Sequence, residues 1–88
     1  MRVRFRKSFV SDLQAVKDKS LHERVKALIV KVESAQNLLE VPNLKKLRGA
    51  GAYYRVRVGD CRVGLAVEES VVEFVGLLHR REVYRYFP

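Results

Sequence analysis

Cations, a histidine and tyrosines crowd the second half of this sequence at spacings that suit phosphate chemistry. Arg55 and Arg57 alternate along one stretch, Arg62 follows after a short break, and His79, Arg80, Arg81, Tyr84 and Tyr86 come later. Metal-free cleavage of an RNA phosphodiester uses groups of these types. The 2′-hydroxyl attacks the adjacent phosphorus, cations stabilise the charge on the phosphorane oxygens, and an acid protonates the leaving oxygen. Histidine titrates near neutrality and suits the proton step. Arginine stays protonated and acts as a fixed cation. The sequence has no carboxylate cluster for two-metal catalysis, no Cys/His zinc spacing and no Gly-rich phosphate loop. Neither a metal nor a cofactor is expected.

The elements that must position these residues belong to a chain of 88 residues, the length of one domain spanning 1–88. Hydrophobic residues make up 48%, enough for a folded core rather than a disordered tail. The formal net charge of +8 points to a polyanion or an acidic protein as partner. One cysteine, Cys61, allows no internal disulfide, which fits a reducing cytoplasm. No signal peptide or membrane-spanning apolar run is apparent, so a cytoplasmic location and no membrane partner are expected.

Val3 and Phe5 alternate with Arg2, Arg4 and Arg6, the pattern of a first strand. Ser8 is expected to cap a helix running to about Lys17, with Phe9, Leu13 and Val16 on one side. Ser20 and Glu23 have capping-box spacing for a second helix, whose apolar stripe is Leu21, Val25, Leu28, Ile29 and Val32. His22 reads as a surface residue. The two helices should pair antiparallel. Pro42 ends any helical continuation. Leu44 to Gly49 reads as a short edge strand or an extended arm, followed by strands over 53–58, 61–68 and 71–79. The fold class is α+β: an antiparallel sheet of about four strands with the N-terminal helix pair packed on one face.

Gly59-Asp60 suits a two-residue type II′ turn. That turn sets Val58 opposite Cys61, Arg57 opposite Arg62, and Arg55 opposite Gly64. Side chains alternate along a strand. Tyr54, Val56, Val58, Cys61, Val63, Leu65, Val67, Val72, Phe74 and Leu78 should therefore face the helices. Tyr53, Arg55, Arg57, Arg62, Gly64, Ala66, Glu73, Val75, Leu77 and His79 should form the open face. Like charges directly opposed destabilise a sheet, so a cation row there reads as a phosphate site prepared for its ligand. Tyr53 on the same face offers a stacking surface for a base.

The order of strand, two helices and three-stranded meander resembles the RelE/ParE superfamily, the toxin halves of type II toxin–antitoxin pairs. The resemblance covers nearly the whole chain. It is most specific at Lys46-Leu47-Arg48-Gly49, at Tyr54 to Val58, at Gly59 to Val63, and at His79-Arg80-Arg81-Glu82-Val83-Tyr84-Arg85. The last stretch is similar to the terminal motif of the RelE branch, which implies a ribosome-dependent endoribonuclease cutting messenger RNA in the A site. The resemblance implies that Arg62 holds the scissile phosphate. It implies that Arg80, or else Arg81, stabilises the transition state or acts as acid, and that Tyr84 orients the substrate. Arg55 and Arg57 stand where RelE has two lysines, one of them proposed as base, so the identity of the base stays open, with His79 a candidate. Lys45, Lys46, Arg48, Arg81 and Arg85 match basic positions that contact RNA. The implied partners are a cognate antitoxin, the ribosome with mRNA in its A site, and operator DNA held through the antitoxin. The alternatives are a ParE-like gyrase inhibitor without catalysis, or a degenerate homologue that binds RNA or antitoxin.

Overall fold

A computed structural model of the chain describes residues 1–47 and 52–79, with His79 at the level of its backbone. The elements run β1 (Arg2–Phe5), α1 (Lys7–Ala15), α2 (Lys19–Ser34), a 3-10 turn (Leu38–Glu40), β2 (Leu44–Lys46), β3 (Tyr53–Val58), β4 (Cys61–Glu68) and β5 (Val71–His79). Five strands rather than about four form the sheet among the described residues, in the order β1-β5-β4-β3-β2. β1 runs parallel to β5, and the other pairings are antiparallel. The architecture is α+β, as expected. No described helix is long and apolar enough to cross a membrane.

The core lies between the sheet and both helices. Phe9 from α1 and Val25, Leu28 and Val32 from α2 bury against Val56, Val63, Leu65, Val72 and Phe74. The stripe read on the second helix is therefore the stripe that packs. Phe5, Phe9 and Phe74 hold β1, α1 and β5 together, with ring centroids 5.2–5.9 Å apart.

Both helix starts differ from expectation, each because a stronger partner is available. Asp18, not Ser20, caps α2: its Oδ1 accepts from Ser20 N at 2.8 Å and Leu21 N at 3.3 Å. A carboxylate both accepts these bonds and complements the positive helix end. Ser8 is not a cap but lies inside α1, and its hydroxyl donates to Val75 O. His22 is half-buried rather than on the surface. Its Nε2 donates to Val16 O at 2.6 Å, closing the break between the helices.

The largest departure is a β-bulge in β5. Gly64 pairs with Gly76 but its neighbour Leu65 pairs with Phe74, so Val75 has no opposite residue on β4. The extra residue exchanges the faces of everything after it. Leu77 is buried in the main core, whereas Leu78 lies on the open face; the sequence reading had them the other way round. His79 pairs in register with Cys61 and not with Arg62, which pairs with Leu78. The α1 helix holds the bulge. Asp12, one turn beyond Ser8, accepts from Leu77 N at 3.0 Å. A Cβ on Gly76 would come within 3.3 Å of the Asp12 carboxylate, so glycine suits the close approach.

Asp12→Ala leaves a part-buried backbone N–H without its acceptor. It is expected to lower unfolding free energy by about 1–3 kcal/mol in chemical denaturation. A change below a few tenths would show that the carboxylate does not hold the bulge.

Candidate nucleic-acid interface

The hairpin register is the expected one. Val58 pairs with Cys61, Arg57 with Arg62, and Arg55 with Gly64. Gly59 has φ +60, as the first position of a type II′ turn requires. Valines 56, 58 and 63 therefore pack under the helices, and Arg55, Arg57 and Arg62 share the opposite face. β2 extends this face on one side. Lys45 pairs with Arg55 and joins the cations. Lys46 pairs with Tyr54 and so belongs to the other face, away from Lys45. The expected basic stretch is thus divided by strand alternation.

Two adjacent rows result. Arg57, Arg62 and Leu78 form one; Lys45, Arg55, Gly64 and Gly76 form the next. Arg57 is exposed, and Arg62 is half-buried with its guanidinium donating to Cys61 O at 3.2 Å. That bond steadies the arginine without neutralising it. Glu73, a carboxylate on the same face, is engaged with β1 and the residue after it: Arg6 lies 2.7 Å from it and Arg4 3.7 Å. Arg48, Arg80, Arg81, Glu82, Tyr84 and Arg85 lie outside the described residues.

Two features of this face escaped the sequence reading. One is a small apolar cluster in which Leu47, Tyr53, Ala66 and Leu78 pack on Val75. The other is the participation of β1, whose Arg4 pairs in register with Glu73 and stands on the same face. The alternation of Arg2, Arg4 and Arg6 carried that signal, but the parallel partner of β1 was not readable. Arg57 also borders a groove of about 420 Å³ at the sheet's far side, lined by Leu28, Pro42 and Val58 with Arg24 and Lys31.

Register places Arg55, Arg57 and Arg62 together on one face of the sheet, and guanidinium groups gathered on one face suit a bound anion. A profile of the ParE toxin of type II toxin–antitoxin systems, parDE, matches residues 3–84. The chain belongs to this toxin family. Within it the chain is RelE-like. It is 37% identical to Toxin RelE3 of Methanocaldococcus jannaschii over 89 residues, covering all of both proteins. The RelB-RelE antitoxin-toxin complex from Methanococcus jannaschii superposes with a TM-score of 0.82 at 35% identity, covering 97% of this chain and 99% of the matched one. The archaeal RelE-RelB complex from Pyrococcus horikoshii gives 0.73 at 30% identity, covering 90% and 93%. The intact RelBE complex of E. coli, at 18% identity and a TM-score of 0.70 over 89% and 94%, shares the fold.

Arg57 directly opposes Arg62, and like charges facing each other across strands destabilise a sheet by roughly 0.2–1 kcal/mol. Arg57→Gln is therefore expected to raise the urea midpoint of this toxin at low salt. The gain should shrink toward zero near molar salt, where screening acts within about 3 Å. A lowered midpoint at both salts would show that the pair is not repulsive.

Proposed function

We propose that this toxin is a ribosome-dependent endoribonuclease that cuts messenger RNA in the A site. The observation that carries this reading is the cation row of exposed Arg57 and half-buried Arg62, with Lys45 and Arg55 in the next row and Glu73 occupied elsewhere. The RelE relatives support the same branch. In the proposed reaction the 2′-oxygen attacks phosphorus as its proton passes to a base. The P–O5′ bond breaks, and the leaving oxygen takes a proton from an acid. The products are a 2′,3′-cyclic phosphate and a 5′-hydroxyl. Arg62, tethered through Cys61 O, holds the scissile phosphate, and Arg55 and Arg57 stabilise the added negative charge. Arginine is too basic to take the 2′ proton. Arg80 and Tyr84 of the terminal motif are proposed for the acid and the substrate-orienting roles, with Arg48, Arg81 and Arg85 contacting RNA.

The proposed protein partner is a cognate antitoxin. The groove beside Arg57 is apolar at its base and rimmed by Arg24, Lys31 and Arg57, which suits an acidic amphipathic segment. Operator binding would come through that antitoxin. The match to the ParE profile keeps gyrase inhibition as a second reading. Primer extension on translated mRNA beside a supercoiling assay separates the two. Ribosome-linked cuts support the nuclease; lost supercoiling with intact RNA supports gyrase inhibition and overturns the nuclease.

Arg62→Ala is expected to keep the fold and lower single-turnover cleavage on programmed ribosomes by roughly 10²–10³, the effect of losing one preorganised electrostatic contact. Wild-type cleavage by this variant would remove Arg62 from the site. His79 is the sharper case. Its register position opposite Cys61 predicts that His79→Gln lowers cleavage by less than the roughly 10²–10⁴ that a general acid or base contributes. A loss within that range would return histidine to the proton step.

A further inference from the structure

The open face has a second end, and its electrostatics differ from those of the cation rows. A row runs Tyr53 on β3, Ala66 on β4, Glu73 on β5 and Arg4 on β1. Ala66 is small, so a hollow of about 230 Å³ opens above it. Tyr53 forms one wall. Glu73, with the Arg6 guanidinium 2.7 Å away and Arg4 3.7 Å away, forms the other. Neighbouring strands lie about 4.8 Å apart, so Tyr53 on β3 and Glu73 on β5 stand roughly 10 Å apart at the backbone. That width admits one flat ring between the Tyr53 side and the Arg6–Glu73 pair.

The charges here are already matched. Arg4 and Arg6 are paired by Glu73, and Glu68 also lines the hollow. A phosphate finds no unbalanced cation in this lining, whereas Arg57 and Arg62 oppose each other at the other end. A nucleobase has the opposite needs: it carries no charge, stacks on aromatic rings and guanidinium planes, and accepts a polar edge. Tyr53 is four residues along β3 from Arg57, about 13 Å at the usual strand rise. A short single strand spans that distance. We propose that the hollow between Tyr53 and the Arg6–Glu73 pair is a nucleobase slot for single-stranded RNA, seating a base that flanks the phosphate held on Arg57 and Arg62. The slot's place beside that phosphate rests on the nuclease reading; its capacity to hold a base does not.

The test uses the free toxin and a 2′-O-methylated oligoribonucleotide, which 2′-oxygen attack cannot cut. One version carries 5-iodouridine at successive positions, and another carries an abasic linker there. Irradiation should crosslink one position to Tyr53, located by mass spectrometry. The abasic linker at that position should weaken binding by a factor of about 5–150, which corresponds to about 1–3 kcal/mol for one stacked base. Ala66→Leu fills the floor of the slot and leaves Arg57 and Arg62 in place. It should abolish the crosslink and make the intact and abasic strands bind alike. Tyr53→Leu keeps an apolar group against Val75, removes the ring and should remove the same discrimination. Crosslinking elsewhere only, base-independent binding by the wild type, or no binding of the oligonucleotide overturns the slot. Cleavage on programmed ribosomes is measured in parallel. Intact cleavage without a base effect leaves the nuclease reading standing and sinks the slot; a base effect without cleavage does the reverse.

Discussion

Everything on the open face depends on the register of one hairpin. Gly59 takes φ +60, where an L side chain is strained, and this sets Arg57 against Arg62 and Val56 against Val63. A slip of one residue would turn the arginines under the helices and the valines into water. The core therefore enforces the cation row: Val63 and Val56 are almost fully buried, so they fix which way their neighbours point. Repulsion between Arg57 and Arg62 is small beside the burial of those valines, since burying one such side chain contributes about 1.5–3 kcal/mol. The sheet holds the arginines together because the opposite face of the same strands has no better place to go.

The bulge makes the second decision. Without it, β5 would alternate strictly, and Leu77 and His79 would stand beside the arginines. With it, Leu77 enters the core and Leu78 caps the apolar cluster around Val75. β1 ends at Phe5, opposite Phe74, so it offers no strand to the last part of β5. Ser8 and Asp12, one helical turn apart, take over by bonding Val75 O and Leu77 N. One helix thus both packs Phe9 into the core and supplies polar partners to backbone groups that a strand would otherwise satisfy.

Local chemistry explains what could be read in the sequence. The expected strands at 53–58, 61–68 and 71–79 match β3, β4 and β5 because Gly59-Asp60 and strict alternation mark them without tertiary help. Both helix starts were misplaced because the deciding partners compete: Asp18 outbids Ser20 for the N-terminal amides, and Val75 O draws Ser8 away from a cap. The bulge escaped because Gly76 inside an apolar strand reads equally as a weak strand position. In the candidate site, Arg55, Arg57 and Arg62 were placed by register alone. Lys46 adjoins Lys45 in sequence, but strand alternation sets the two on opposite faces. The role of Glu73 could not be read, since its partners Arg4 and Arg6 lie more than sixty residues away and meet it through a parallel pairing.

In the proposed reading, the two ends of the open face would divide the work that recognition of an RNA strand requires. Phosphate contacts supply affinity and fix position but carry no sequence information; contacts to bases discriminate. Arg57, exposed and facing Arg62, suits the first task, because its charge is not cancelled by Glu73. The Tyr53–Ala66–Glu73 row suits the second, because its cations are consumed in an internal pair and leave a polar, near-neutral lining. Had Glu73 stood beside Arg57 and Arg62 instead, it would have stabilised the free sheet and spoiled both tasks at once, neutralising the phosphate end and baring Arg4 and Arg6 at the other. Its position on β5, before the bulge and beside β1, keeps Glu73 away from the opposed arginines, whose mutual repulsion is only a small electrostatic penalty on the sheet.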